Sequence, residues 1–154
     1  MKKIYKFQVA LSESGFYDFP KNAITRTFEI SGGVSLSRLA EAIIDAFDFD
    51  MDHAYGFYDN LKNHYKSREV YTLFADMGMD DDPFNGNSVK IKVNKVFEIG
   101  KSMLFLFDYG DEWIFHVHCI EVKEADANVK YPLLVEAKGE APEQYPDFED
   151  EDNE

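Results

Sequence analysis

SMLFLF and WIFHVHCIEV, at residues 102–107 and 113–122, constrain this chain more than any other feature. Only DYGDE separates these two apolar runs, so they read as neighbouring strands joined by a turn. Their apolar residues fall on both faces, which is expected of central strands covered on at least one side. Gly110 is expected to supply a positive φ at little cost. Asp108 is expected to accept hydrogen bonds from amides two residues on. The same carboxylates could also be read as an acid–base pair or a metal loop. No His or Cys is fixed beside them by spacing, so the turn is the preferred reading. Asp108, Tyr109, Gly110, Asp111 and Trp113 still form a motif that could contact a partner, because loops carry function.

Around this hairpin, KKIYKFQVAL (2–11) alternates as a half-buried strand, and ITRTFEI (24–30) is expected to pair with it. Residues 12–22 read as a polar loop. Ser35 is expected to cap a helix whose Leu36, Leu39, Ala40, Ile43, Ile44 and Phe47 form one apolar face. HAYGFYDN (53–60) reads as strand and turn, and EVYTLFA within 61–75 as extended. Residues 77–88 read as a loop, VKIKV (89–93) as a short alternating stretch, and Asn94–Glu98 as one helical turn. Residues 123–130 read as a charged loop and YPLLVEA (131–137) as a last strand. The order of elements predicts an α+β domain: a mixed, mainly antiparallel sheet with one main amphipathic helix packed on it, in ββα-then-strands order. Residues 1–138 are expected to form the single domain and 139–154 an acidic, partly disordered tail.

Charge narrows the range of partners. Of the formal −14, eight carboxylates lie in 140–154, which leaves −6 on the rest of the chain. The 16 Lys and Arg form no block, which disfavours direct binding to nucleic acid or to an anionic membrane. A single cysteine, Cys119, excludes an intramolecular disulfide and fits a reducing compartment. With no run of about 20 apolar residues and no leader pattern, the expectation is a soluble cytoplasmic protein.

Other residues invite chemical readings. His116 and His118 share one strand face and are candidate metal ligands with Asp111. The competing reading is two histidines on a sheet face with Ile114 and Ile120. DFDMDHAYGFYD (48–59) superficially matches a calcium loop, but His53 stands where that loop needs glycine. Cys119 shares a face with Trp113, Phe115 and Val117 and reads as a buried, inert thiol. Tyr17, Tyr58 and Tyr145 are candidate exposed contacts.

LFLFDYGDEWIFHV resembles the hallmark of the plasmid pRiA open-reading-frame-three-like family, also known as insertion-element passenger, TnpR-like proteins. HAYGF and YPLLVEAKGEAPEQYP are similar to two further segments of that family, in the same order. Phe115 departs from the pattern, since the family often has His there, and QYPDFED replaces its acidic-Gly-Gly ending. The resemblance implies a small α+β domain with no established reaction, and it carries no recombinase nucleophile to any residue here. The expected function is a non-enzymatic domain, without cofactor, that binds a protein or small ligand. A protein partner would dock through the acidic tail. The alternatives are a plasmid- or transposon-associated accessory protein and a metal-dependent hydrolase using His116, His118 and Asp111.

Overall fold

The computed structural model describes residues 2–12, 23–78 and 85–145. The expectations for the loop at 13–22, for Tyr17, for residues 79–84 and for the acidic end from 146 lie outside these residues. Among the described residues, seven strands form one sheet in the order β4-β3-β5-β6-β1-β2-β7. They are β1 (Lys3–Leu11), β2 (Ile24–Ser31), β3 (Tyr55–Tyr58), β4 (Val70–Thr72), β5 (Ser102–Phe107), β6 (Trp113–Glu124) and β7 (Leu133–Lys138). Each strand pairing is antiparallel.

The fold is therefore β-rich, which corrects the expected α+β domain. Helix α1 (Leu36–Ala46) has 11 residues, while α2 (Leu73–Asp76) and α3 (Val93–Val96) are single turns of four. The 3.6-residue period of Leu36–Phe47 gives a strong signal in sequence. The strands that outweigh it are dispersed, and two of them, β3 and β4, have only four and three residues.

The main core lies on one face of the sheet. There Phe7, Phe28, Phe105, Phe115 and Val117 meet the buried side of α1, with the Phe47 ring 5.1 Å from that of Phe115. A smaller cluster on the opposite face joins Tyr58, Val70, Leu104, Leu106 and Ile114. β5 is thus covered on both faces.

Both ends of α1 are closed by hydrogen bonds. Ser35 Oγ accepts from the Arg38 amide at 3.2 Å. The amides of Leu36 and Ser37 donate to the carbonyls of Ile91 and Val89. VKIKV therefore supplies acceptors to a helix N-terminus instead of forming a named strand, because first-turn amides have no partner inside the helix. At the other end the Asp48 amide donates to Asp45 O (3.0 Å) and the Phe49 amide to Ile44 O (3.0 Å). Asp48 takes φ +59°. This is a Schellman closure with aspartate in the position glycine usually fills. It directs Phe49 onto Trp113, ring to ring at 4.8 Å.

Arg26 on β2 ties the helix end to the sheet. Its side chain is buried. Nε donates to Ala46 O, and Nη1 donates to the carbonyls of Thr25, Lys138 and Gly139. The guanidinium lies 5.0 Å from the centre of the Phe47 ring. Arg26→Met should lower stability by about 2–4 kcal/mol in urea unfolding, because buried carbonyls lose a charged donor. Arg26→Lys should recover only a minor part, since one ammonium cannot span the fork. A loss below about 0.5 kcal/mol for Arg26→Met would contradict this role.

Candidate functional site

The turn between β5 and β6 is organised by Asp108. Its Oδ1 accepts from the amides of Gly110 (3.1 Å) and Asp111 (3.2 Å). Its carbonyl accepts from the Glu112 amide at 2.6 Å, and its own amide donates to Ala54 O at 2.9 Å. The positive φ values fall on Asp108 (66°) and Glu112 (53°), not on Gly110. The expectation for Gly110 is thus corrected. Asp108 makes its own αL geometry acceptable through the local side-chain bonds that let aspartate adopt it.

Tyr109 packs back over β3. Its hydroxyl lies 2.6 Å from that of Tyr58. A Cβ on Gly56 would come within 2.7 Å of that same Tyr109 oxygen, so the glycine of HAYGF leaves room for the tyrosine of DYGDE. Trp113 begins β6 against Phe49, and its buried indole N–H has no hydrogen-bond partner among the described residues.

His53 stands beside the turn. Its Nε2 is 3.5 Å from Asp108 Oδ2 and its Nδ1 is 2.7 Å from Asp52 Oδ1. The chain beyond β7 returns to the same place. Gln144 is buried. Its Oε1 accepts from the Asp50 amide at 2.7 Å, and its Nε2 donates to Asp50 O at 3.1 Å and to Asp52 Oδ1 at 3.2 Å. The Tyr145 hydroxyl donates to Asp52 Oδ2 at 2.8 Å and lies 3.0 Å from His53 Nδ1. The three segments that resemble the family therefore meet at one end of the sheet through Asp108, His53 and the Gln144–Tyr145 pair. Residues 139–145, read from the sequence as the start of the tail, are packed there through Gln144.

The electrostatics follow from these contacts. The hydrogen bond to Asp52 raises His53 above its ordinary 6.5, and the charges of Asp108, Asp52 and Asp111 act in the same direction. The hydrogen bond from His53, with help from Tyr145, holds Asp52 below 3.8. Desolvation, then the bond to Asp52, pushes the Tyr145 phenol up to about 12. A raised His53 stabilises the contact fully below pH 6.5, and that contribution fades as pH rises through its folded value. A lowered Asp52 contributes above 3.8 and fades as pH falls through its folded value. The latch is therefore complete between these two titrations.

The histidines proposed from the sequence lie elsewhere. His116 and His118 share a face of β6, with ring centres 6.2 Å apart. His118 Nδ1 is 2.6 Å from Ser102 Oγ, and burial, then His118, lowers the His116 pKa. Asp111 is exposed in the turn. It precedes Trp113, itself about 10 Å along the strand from His116 at ~3.3 Å per residue. Among the described residues no three His, Cys, Asp or Glu side chains gather closely enough to hold a metal ion.

Asp48 closes a helix, and Asp59 accepts from the amides of Arg68 and Glu69, so these two residues of the calcium-like pattern serve the backbone. Cys119 is fully buried, and desolvation pushes its thiol up to about 11. Tyr58 is buried, while Tyr145 is half exposed. Tyr145 carries the contact that spacing alone left undefined. Gln144 gave no sequence signal, since its partner Asp50 lies 94 residues away.

Asp108→Ala should cost about 1–3 kcal/mol in chemical unfolding, by losing the acceptor while keeping the αL backbone. Asp108→Asn should cost markedly less, because it keeps the acceptor and tolerates that backbone. Equal costs would remove the capping account. In an NMR titration His53 should have a pKa above 6.5, and Asp52→Asn should bring it down. A wild-type value at or below 6.5 would break the latch.

The family model of the plasmid pRiA4b ORF-3-like protein matches residues 3–147. The crystal structure of MM3350, a protein of unknown function from Methanosarcina mazei Go1, superposes with a TM-score of 0.71 at 19% identity, covering 89% of this chain and 70% of that one. At that identity the likeness concerns the fold alone. No curated protein matches the sequence. Among the described residues no helix is long and apolar enough to cross a membrane. The match runs from the first residue of β1 to just beyond the residues that clamp on Asp52 and His53, and the chain belongs to the plasmid pRiA4b ORF-3-like family.

Proposed function

We propose that this chain is a non-catalytic binding module that docks a basic protein partner at the acidic end of its sheet. The observation that carries the reading is the convergence of the three segments on His53, where Asp108, Asp52 and Gln144 are engaged in contacts within the fold. Asp108 caps its turn and faces His53, Asp52 holds Tyr145, and Gln144 holds Asp50. Around this rigid centre Asp48, Asp50, Asp111, Glu112 and Glu143 are exposed. Such a rim attracts and orients a cationic surface, mainly through association rate and specificity. The family name links the chain to a plasmid, and the −14 charge favours a protein partner over direct contact with DNA.

The test is affinity capture from the native cell with wild type and with an Asp111→Lys, Glu112→Lys, Glu143→Lys variant, at two salt concentrations. A basic protein should be retained by wild type at low salt, weakened by added salt, and lost with the charge-reversed variant. Retention of the same proteins by both chains would overturn the reading.

A further inference from the structure

The two edges of the sheet are finished differently. At one edge β4 is short and buried, and Asn87 covers it: its amide donates to Val70 O at 2.8 Å, and its carbonyl accepts from the Thr72 amide at 3.0 Å. At the other edge, among the described residues, β7 pairs with β2 alone. All six of its residues are exposed, with Leu134 at 52% and Val135 at 46%. A strand in this state presents unpaired amides and carbonyls that another chain can use, and natural edges are usually blunted against it.

A groove of about 290 Å³ runs beside this edge, between β7 and the end of α1. Its apolar lining is Phe28, Ala42, Ala46, Pro132, Leu134 and Ala137. That volume is at the small end for ligand pockets and suits one or two side chains of an extended segment. Asp45 and Asp48 stand on its wall and are exposed. Arg26 also lines the groove, with its Nε and Nη1 donating to the carbonyls of Thr25, Ala46, Lys138 and Gly139. Asp45 and Asp48 outnumber it on the wall, which is acidic on balance.

We infer that β7 accepts an extended, basic segment of a partner protein as an eighth strand. The deepened reading rests on the binding-module function proposed above. Backbone hydrogen bonds along β7 would give affinity, and alternate side chains entering the groove would give specificity. A lysine or arginine at such a position lays its stem on Ala42 and Ala46 and brings its charge to Asp45 and Asp48. Charge decides against a second copy as the occupant, because two chains of −14 repel each other.

The probe is a fluorescein-labelled octapeptide of alternating valine and lysine, measured by anisotropy, with a valine–glutamate octapeptide as control. Two further versions carry N-methyl groups on the valines only or on the lysines only. Only alternate amides of an added strand face the protein. One methylated version should therefore lose about tenfold or more in affinity while the other keeps it. Leu134→Lys and Asp45→Lys/Asp48→Lys should each weaken the valine–lysine peptide, and the glutamate peptide should not bind. Binding weaker than about 1 mM, equal effects of both methylation patterns, or indifference to the β7 and Asp45/Asp48 changes would overturn the inference. So would a wild-type dimer in light scattering that Leu134→Lys converts to monomer, since a second copy would then hold the edge. A cellular partner lost with the Asp111, Glu112 and Glu143 reversals but retained by Leu134→Lys would leave the binding module standing and remove the edge.

Discussion

The carboxylate of Asp108 divides its two oxygens between two tasks. One oxygen closes the turn that brings β5 and β6 together, and the other faces the imidazole of His53. The β5–β6 hairpin lies inside the sheet, with β3 on one side and β1 on the other. Register set at this turn therefore propagates outward in both directions. A slip of one residue would move Phe105 and Phe115 out of the main core and put Leu104 and Ile114 in their place. The turn carries weight beyond its length because it is also where the ends of α1, β3 and the returning chain are fastened.

Much of this was legible in the sequence, for physical reasons that differ between elements. β1, β2 and the hairpin announce themselves because period-2 alternation and apolar runs are local. α1 does so because its apolar face repeats at helical spacing and Ser35 offers a cap. Asp108 was readable as a capping residue because Asx-turn chemistry spans only two or three residues. The distribution of positive φ was not readable: glycine is the usual occupant, but here aspartate and glutamate take it. VKIKV has strand periodicity, yet its carbonyls go to the amides of α1, a choice that tertiary context makes. The clamp by Gln144 and Tyr145 joins positions more than ninety residues apart, where no local pattern can reach. The overall balance between sheet and helix is hidden in the sequence for a related reason. A single periodic helix is conspicuous, whereas strands of three and four residues become strands only once their neighbours are in place.

The acidic groups near α1 break a local rule. The C-terminal end of a helix carries partial negative charge, and cations there are stabilising. Here the last turn holds no basic residue, and Asp45 and Asp48 stand at that end, with Asp50 and Asp52 just beyond. A like-signed charge placed in that last turn is unfavourable at low ionic strength. Part of the cost is offset by Arg26, whose Nε donates to Ala46 O, and by His53, which gives Asp52 a cationic neighbour. Asp45 has no such contact among the described hydrogen bonds, and Asp48 takes a backbone conformation that glycine would adopt with less strain.

Violations of this kind tend to mark places where a chain is shaped for something other than its own stability. Neutral residues at 45 and 48 would suit the helix end better, and glycine at 48 would suit the Schellman closure better. Carboxylates at both positions put negative charge on the wall of the groove beside the open edge of β7. At the opposite edge Asn87 occupies backbone groups of β4. An unfavourable helix end and an exposed strand edge adjoin each other. A cationic, extended chain relieves both, because its charge complements the helix terminus and its backbone completes the ladder.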